Sequence, residues 1–285
     1  MRTDITFDAG GLKLAGWLYK PKGKGPHPLV ILSHGFTGLK AMGLAGYAEI
    51  FEKAGLACLV YDHRNWGESE GEPRMEINPW DQVHDMRDAV THARSLPGID
   101  KERIGIWGTS YSGGHVLVVG AIDRRVKCVV SQVPLVTGYG TMNRWVTSAA
   151  MAGMQERFIQ DRDDRAAGKP PRLVKAAFPG TETEEWVQAT DKDGSYPNQV
   201  TQRSLEMMLE YEPASYIHRI APTPLMMIVA KRDTQTPTDT QLEAFNRACD
   251  PKQLVLLDCR HYDPYTAMLK ESAHAARDWF LAHLA

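Results

Sequence analysis

The chain has 285 residues, of which 43% are hydrophobic and 24% charged, and its formal net charge is −2. That length allows one large core, or a core carrying an insertion. The near-neutral charge supplies no basic face for nucleic acid or a membrane surface, and no stretch approaches the roughly 18 consecutive apolar residues that a membrane span needs.

The N-terminal MRTDITFDAG lacks the apolar centre of a secretory signal. The four cysteines, Cys58, Cys128, Cys249 and Cys259, are scattered and include no C-x-x-C pair. Zinc and redox-dithiol roles are therefore not expected, and the pattern reads as reduced thiols in a cytoplasmic protein.

In chain order, TFDAG and KLAGWLYK suggest an opening hairpin that turns at Gly10-Gly11. PLVILSHG reads as a short buried strand, and a helical stretch follows around Gly43 to Ala54. LACLVYD is the next strand, and Pro79 to Leu96 has helical apolar spacing at Val83, Met86, Val90 and Ala93. RIGIWG predicts a strand, SGGHVLVVGAI a helix and KCVVSQVP another strand. Such alternation implies βαβ crossovers and a mostly parallel central sheet with helices on both faces.

The rhythm breaks from about Leu135 to Tyr216, a polar, charge-rich, helical stretch without a strand-like run. It then resumes with TPLMMIVAKRD, PTDTQLEAFNRA, KQLVLLDCRH and a final helix from Tyr265 to Leu284. The expected division is a core of residues 1–134 and 217–285, with residues 135–216 as an inserted helical lid.

Chemistry concentrates at strand ends. RIGIWGTSYSGG places Ser110 between a strand and a helix, with Gly108 before it and Ser112 and Gly113 after it. Small residues are needed where a sharp strand-to-helix turn lifts a serine clear of the sheet, and the helix N-terminus then favours negative charge beside it. The literal G-x-S-x-G match is elsewhere, at Gly67-Glu68-Ser69-Glu70-Gly71. No helix follows it, and two glutamates would oppose an oxyanion there.

A serine nucleophile needs a base, and the base an orienting carboxylate. LMMIVA leads into Asp233 and LVLL into His261, so both follow strands on the same edge as Ser110, in the order serine, acid, histidine. Asp258 is the alternative acid. Oxyanion donors are expected at the N–H groups of Tyr111 and Phe36, with His34 supporting the latter's loop. Met142, Trp145, Met151, Met154 and Phe158 recur at near-helical spacing. Trp66, Met142, Trp145 and Met151 are the candidate pocket residues; a stripe that merely packs the insertion on the core is the alternative. The run Glu182, Glu184, Glu185 could hold a substrate amine, or be a solvated helix face. No metal or nucleotide motif is present, so no cofactor is expected.

The HGFTG loop, the DHRNWGESEG loop, the GTSYSGG elbow and the late Asp and His together resemble the α/β-hydrolase family over nearly the whole chain. DHRNWGESEG is similar to the family's D-x-R-G-x-G-x-S loop, with Asn65 and Trp66 as departures. The elbow resembles the G-x-S-Y-x-G form of the X-prolyl dipeptidyl-peptidase and cocaine-esterase branch. That branch's additional β-sandwich domain is not expected here, and the chain looks closer to stand-alone dienelactone-hydrolase-like esterases, which carry cysteine at the elbow, and to fungal polyketide transferases. The resemblance implies a serine hydrolase of an ester, thioester or lactone with an apolar acyl group. Acyl transfer, X-Pro peptidase activity and a non-catalytic ligand receptor are the alternatives, and a homodimer stays an open option. The small-molecule substrate is the one partner expected, with neither nucleic acid nor membrane.

Overall fold

The first two strands, Arg2–Ala9 (β1) and Leu12–Tyr19 (β2), pair antiparallel in a computed structural model that describes residues 2–284. Gly10 and Gly11 both have positive φ, the geometry a two-residue hairpin needs to match strand twist. His27–Ser33 (β3) and Ala57–Tyr61 (β4) then run parallel to each other, separated by Leu44–Lys53 (α1). Pro79–Ser95 (α2) begins with Pro79 behind the cap Asn78, whose side chain accepts the N–H of Trp80. Ile99–Thr109 (β5), Tyr111–Ile122 (α3) and Val126–Gln132 (β6) complete the first half of the core.

Between β6 and the next core strand the chain makes Gly138–Trp145 (α4), Ser148–Ala166 (α5), Leu173–Lys175 (β7), Glu182–Thr190 (α6), Gln199–Thr201 (β8) and Gln202–Leu209 (α7). The expectation of no strand in this stretch is corrected in one detail. β7 and β8 form a short antiparallel ribbon, too brief to carry a legible period of two. The core resumes with Leu225–Ala230 (β9), Thr238–Arg247 (α8), Lys252–Leu257 (β10) and Leu269–Leu284 (α9).

Eight of the described strands form one sheet in the order β1-β2-β4-β3-β5-β6-β9-β10, parallel from β4 to β10. Every residue of β4 and β9 is buried. Such strands are covered on both faces, which explains their unbroken apolar runs. Val83, Met86, Val116, Val119 and Ala244 of α2, α3 and α8 share one core cluster. Tyr47 and Phe51 of α1 meet Ala276 and Phe280 of α9 in the other. Each fully buried Leu, Ile or Val contributes about 1.5–3 kcal/mol. The layers leave the C-terminal ends of β3, β5, β9 and β10 together at one edge, where open α/β sheets bind ligands.

Candidate active site

Ser110 sits at the turn from β5 into α3 with φ 56° and ψ −117°, a backbone conformation that a non-glycine residue adopts only under constraint. The constraint is visible. Its N–H donates to Gln132 O (2.9 Å) and its carbonyl accepts the N–H of Leu135 (2.9 Å). A Cβ on Gly108 would lie 2.1 Å from the Ser112 carbonyl oxygen, and one on Gly113 would lie 2.8 Å from Pro134 Cα. The glycines around the serine are what let strand and helix approach so closely.

His261 Nε2 lies 3.1 Å from Ser110 Oγ, and His261 Nδ1 lies 2.8 Å from Asp233 Oδ2. Both His261 and Asp233 are buried. Asp233 Oδ1 accepts the N–H groups of Gln235 (2.9 Å) and Thr236 (2.8 Å), and Oδ2 accepts the Thr236 hydroxyl (2.9 Å) and Gln241 Nε2 (3.2 Å). Donors on both of its oxygens hold the Asp233 carboxylate in place. It accepts a hydrogen bond from His261 Nδ1–H, the tautomer that leaves Nε2 as an acceptor for the serine hydroxyl. Asp258 is 76% exposed and paired with Arg232, so the alternative acid points away.

The loop after β3 approaches the serine from above. A Cβ on Gly35 would lie 2.8 Å from Ser110 Cβ and 3.2 Å from its Oγ. The Phe36 and Tyr111 rings meet edge to face at 5.2 Å. Their N–H groups have no acceptor among the described residues, so both donors are free.

A buried polar layer lies behind this loop. The His34 ring takes the N–H of His63 on Nε2 (3.2 Å) and sets Nδ1 3.0 Å from Gly35 O, while the Ser112 hydroxyl donates to His34 O (2.5 Å) and lies 2.9 Å from His63 Nε2. Burial lowers the pKa of His34; burial and then the neighbouring imidazoles hold His63 well below the ordinary histidine value. Asp62 accepts the Lys40 N–H and Nζ (both 2.7 Å). Burial lowers the Lys40 pKa, but Asp62 and then Glu68 more than offset it, and the net shift is upward. Ser69, in the literal G-x-S-x-G match, is bound to Asp62 O (2.6 Å) and to the Ala15 N–H (2.9 Å), deep in the structure.

Ser110 and His261 open onto a cavity of about 600 Å³, within the range of small-molecule sites. Met42, Leu135, Met142, Met154, Trp186 and Met208 are among its apolar walls. Among the contacts that tie the inserted segment to the core, three involve residues of the cavity wall. Trp145 Nε1 donates to Gln235 O (2.9 Å), Thr37 meets Tyr196 at 2.9 Å, and Thr183 meets Tyr262 at 3.0 Å.

Of the four pocket candidates, Met142 and Trp145 line this cavity. Trp66 does not: it is 1% exposed, with its indole N–H on Glu76 O (3.2 Å). Met151 does not either, since it packs against the core one turn from Met154. Glu182 accepts the Tyr262 N–H, Glu184 the Gly180 N–H, and Glu185 pairs with Arg260, so none of the three faces the cavity. Thr236 and Gln241 belong to no motif in the sequence, although Thr236 stands only three residues past Asp233.

A family model described as X-Pro dipeptidyl-peptidase (S15 family) matches residues 10–263. The chain belongs to that family. The chain is 34% identical over 252 residues to the quorum-quenching protein AidA of Acinetobacter baumannii (strain MDR-ZJ06), covering 84% of this chain and 81% of that one. It is 33% identical to the thiohydrolase aneE of Aspergillus aculeatus, covering 88% and 83%. The crystal structure of the α/β hydrolase GrgF from Penicillium sp. sh18 superposes with a TM-score of 0.88 at 28% identity, covering 100% of this chain and 99% of that one; GrgF is also named a polyketide transferase. The S15-family chain is thus an enzyme of the α/β-hydrolase fold.

Proposed function

We propose that this protein is a serine hydrolase that cleaves a carboxylic ester or thioester with an apolar acyl group through an acyl-enzyme on Ser110. The observation that carries this reading is the hydrogen-bonded series Ser110–His261–Asp233 at the floor of an apolar cavity. The thiohydrolase name of one relative supports the ester and thioester class.

Ser110 Oγ bonds to the substrate carbonyl carbon as its proton passes to His261 Nε2. The Phe36 and Tyr111 N–H groups hold the resulting oxyanion, worth roughly 3–4 kcal/mol per donor where such donors have been removed. Collapse breaks the bond to the leaving oxygen or sulfur, which takes the proton from His261. Water then adds to the acyl carbon, loses a proton to His261 and releases the acid, and that proton returns to Ser110. Asp233 stays ionised throughout and holds the imidazole by Nδ1–H. Residues 135–216 act as the lid that shapes the acyl site.

Peptidase action on X-Pro substrates is the weaker reading despite the family name. Capture of a free α-amino group needs a carboxylate, and no Asp or Glu contributes to the cavity wall among the described residues. Acyl transfer to an alcohol uses the same residues, and the polyketide-transferase name favours it as the second reading. A cytoplasmic location fits the four free cysteines.

The test is intact-mass spectrometry after mixing with p-nitrophenyl butyrate. A butyryl adduct on the wild type, absent from Ser110→Ala, is expected together with a burst of p-nitrophenol. An adduct on Ser110→Ala would move the nucleophile elsewhere. Butyl ester formed when butanol is added would bring the transferase reading forward.

A further inference from the structure

The cavity wall is electrically one-sided. It contains Arg157, on the same face of α5 as Met154, and Lys175, at the end of β7. Both are exposed, so they stand where the cavity meets solvent. Five other cations of the inserted segment are matched with carboxylates, Arg144 with Asp239, Arg162 with Glu206, Arg165 with Asp161, Lys169 with Asp164 and Arg203 with Glu76, while Arg172 and Lys192 do not line the cavity. Arg157 and Lys175 have no ion-pair or hydrogen-bond partner among the described residues, and no acidic side chain joins them on the wall. Unpaired cations at the mouth of an apolar cavity raise the local concentration of anions and repel cations.

We infer that the substrate carries an anionic group, a carboxylate or a phosphate, that meets Arg157 and Lys175 while its reacting carbonyl lies at Ser110. The apolar wall between them holds the connecting chain. This deepens the hydrolase reading and rests on it for turnover, but not for binding. The anion is either the far end of the acyl group or part of the leaving group, and the two sources are separable.

Three thioesters distinguish them: butyryl-N-acetylcysteamine, which is neutral; glutaryl-N-acetylcysteamine, with the anion on the acyl side; and butyryl-coenzyme A, with the anions on the leaving group. Their dissociation constants are measured by calorimetry on Ser110→Ala, which cannot turn them over, with and without Arg157→Gln/Lys175→Gln. Two exposed charge contacts predict a preference of about tenfold for an anionic ligand over the neutral one. The preference should shrink in 0.5 M salt, because charges at a solvent-facing rim are screened. The double substitution should bring the ratio close to one. Preference for the glutaryl compound assigns the anion to the acyl end, and preference for the coenzyme A compound assigns it to the leaving group. Equal binding of all three, or a preference that survives the double substitution, overturns the inference. Absence of turnover in the wild type with the preference intact would count against the hydrolase reading alone.

Discussion

Thr236 makes one hydroxyl serve the whole acid–base pair. It donates to Asp233 Oδ2 and lies within reach of Val133 O and His261 Nδ1, so it fixes where the imidazole is held without touching substrate. Thr236→Val keeps the shape and removes the donor. Losing one net hydrogen bond of about 1 kcal/mol predicts a fall in kcat of roughly fivefold, with little change in KM. Thr236→Ser should restore most of the rate, and steady-state kinetics on p-nitrophenyl butyrate would check this. A Thr236→Val enzyme with wild-type kcat would reduce the residue to loop packing. Gly35 offers a second test at the same scale. Gly35→Ala drives a methyl to 2.8 Å from Ser110 Cβ, and a displaced nucleophile predicts a loss on the order of 10²-fold in kcat. The overpacking should cost about 1–3 kcal/mol, read from denaturant unfolding. If the variant loses activity without losing stability, the methyl displaces the hydroxyl without straining the fold.

Among the elements, what could be read in advance divides by physical cause. Strand ends are marked in sequence because a parallel strand is an apolar run that stops abruptly. That is how Ser110, Asp233 and His261 could be put at one edge without knowing their distances. The glycines around Ser110 were legible for a related reason, since a tight turn tolerates few residue types. Direction across a helix or loop was not legible. Met151 and Met154 are three residues apart on α5 and both pack on the core, yet only Met154 also lines the cavity. Trp66 has the size and chemistry of a pocket residue, but the loop buries it on Glu76 O. Gln241 reaches Asp233 from the first turns of α8, a contact that depends on how the loop folds back. The ribbon of β7 and β8 left no trace, because three residues do not make a period.

For the whole molecule, the buried imidazoles behind the nucleophile set a pH limit on stability. Burial lowers the pKa of His34, holds His63 well below the ordinary value and brings His115 to about 3. Below the unperturbed value of 6.5 the unfolded chain binds protons that the folded chain refuses. Their contribution is therefore complete above that pH and is lost as the pH falls, by at most about 1.4 kcal/mol per pH unit for each group and only down to its folded value. Asp85 runs the other way: burial raises it to about 6 despite Arg64, so between its unfolded and folded values its contribution grows as the pH falls. Burial raises Glu76 as well, but two carboxyls against three imidazoles still leave a net loss. Urea unfolding at pH 7.5, 6 and 5 should give steadily lower midpoints, and a flat profile would mean that these rings are not held neutral.

The strands that bracket the insertion, β6 and β9, are hydrogen-bonded neighbours in the sheet. The chain leaves the core and returns to it one strand over, so everything from α4 to α7 is an excursion that the sheet's connectivity does not require. Ser110, Asp233 and His261 all lie outside that excursion, while Met142, Met154, Arg157 and Lys175 lie within it. Inheritance can then act on the two parts separately. A lineage can lengthen, shorten or recharge the excursion and so trade one diet of acyl compounds for another, while the machinery that breaks the bond passes down unaltered.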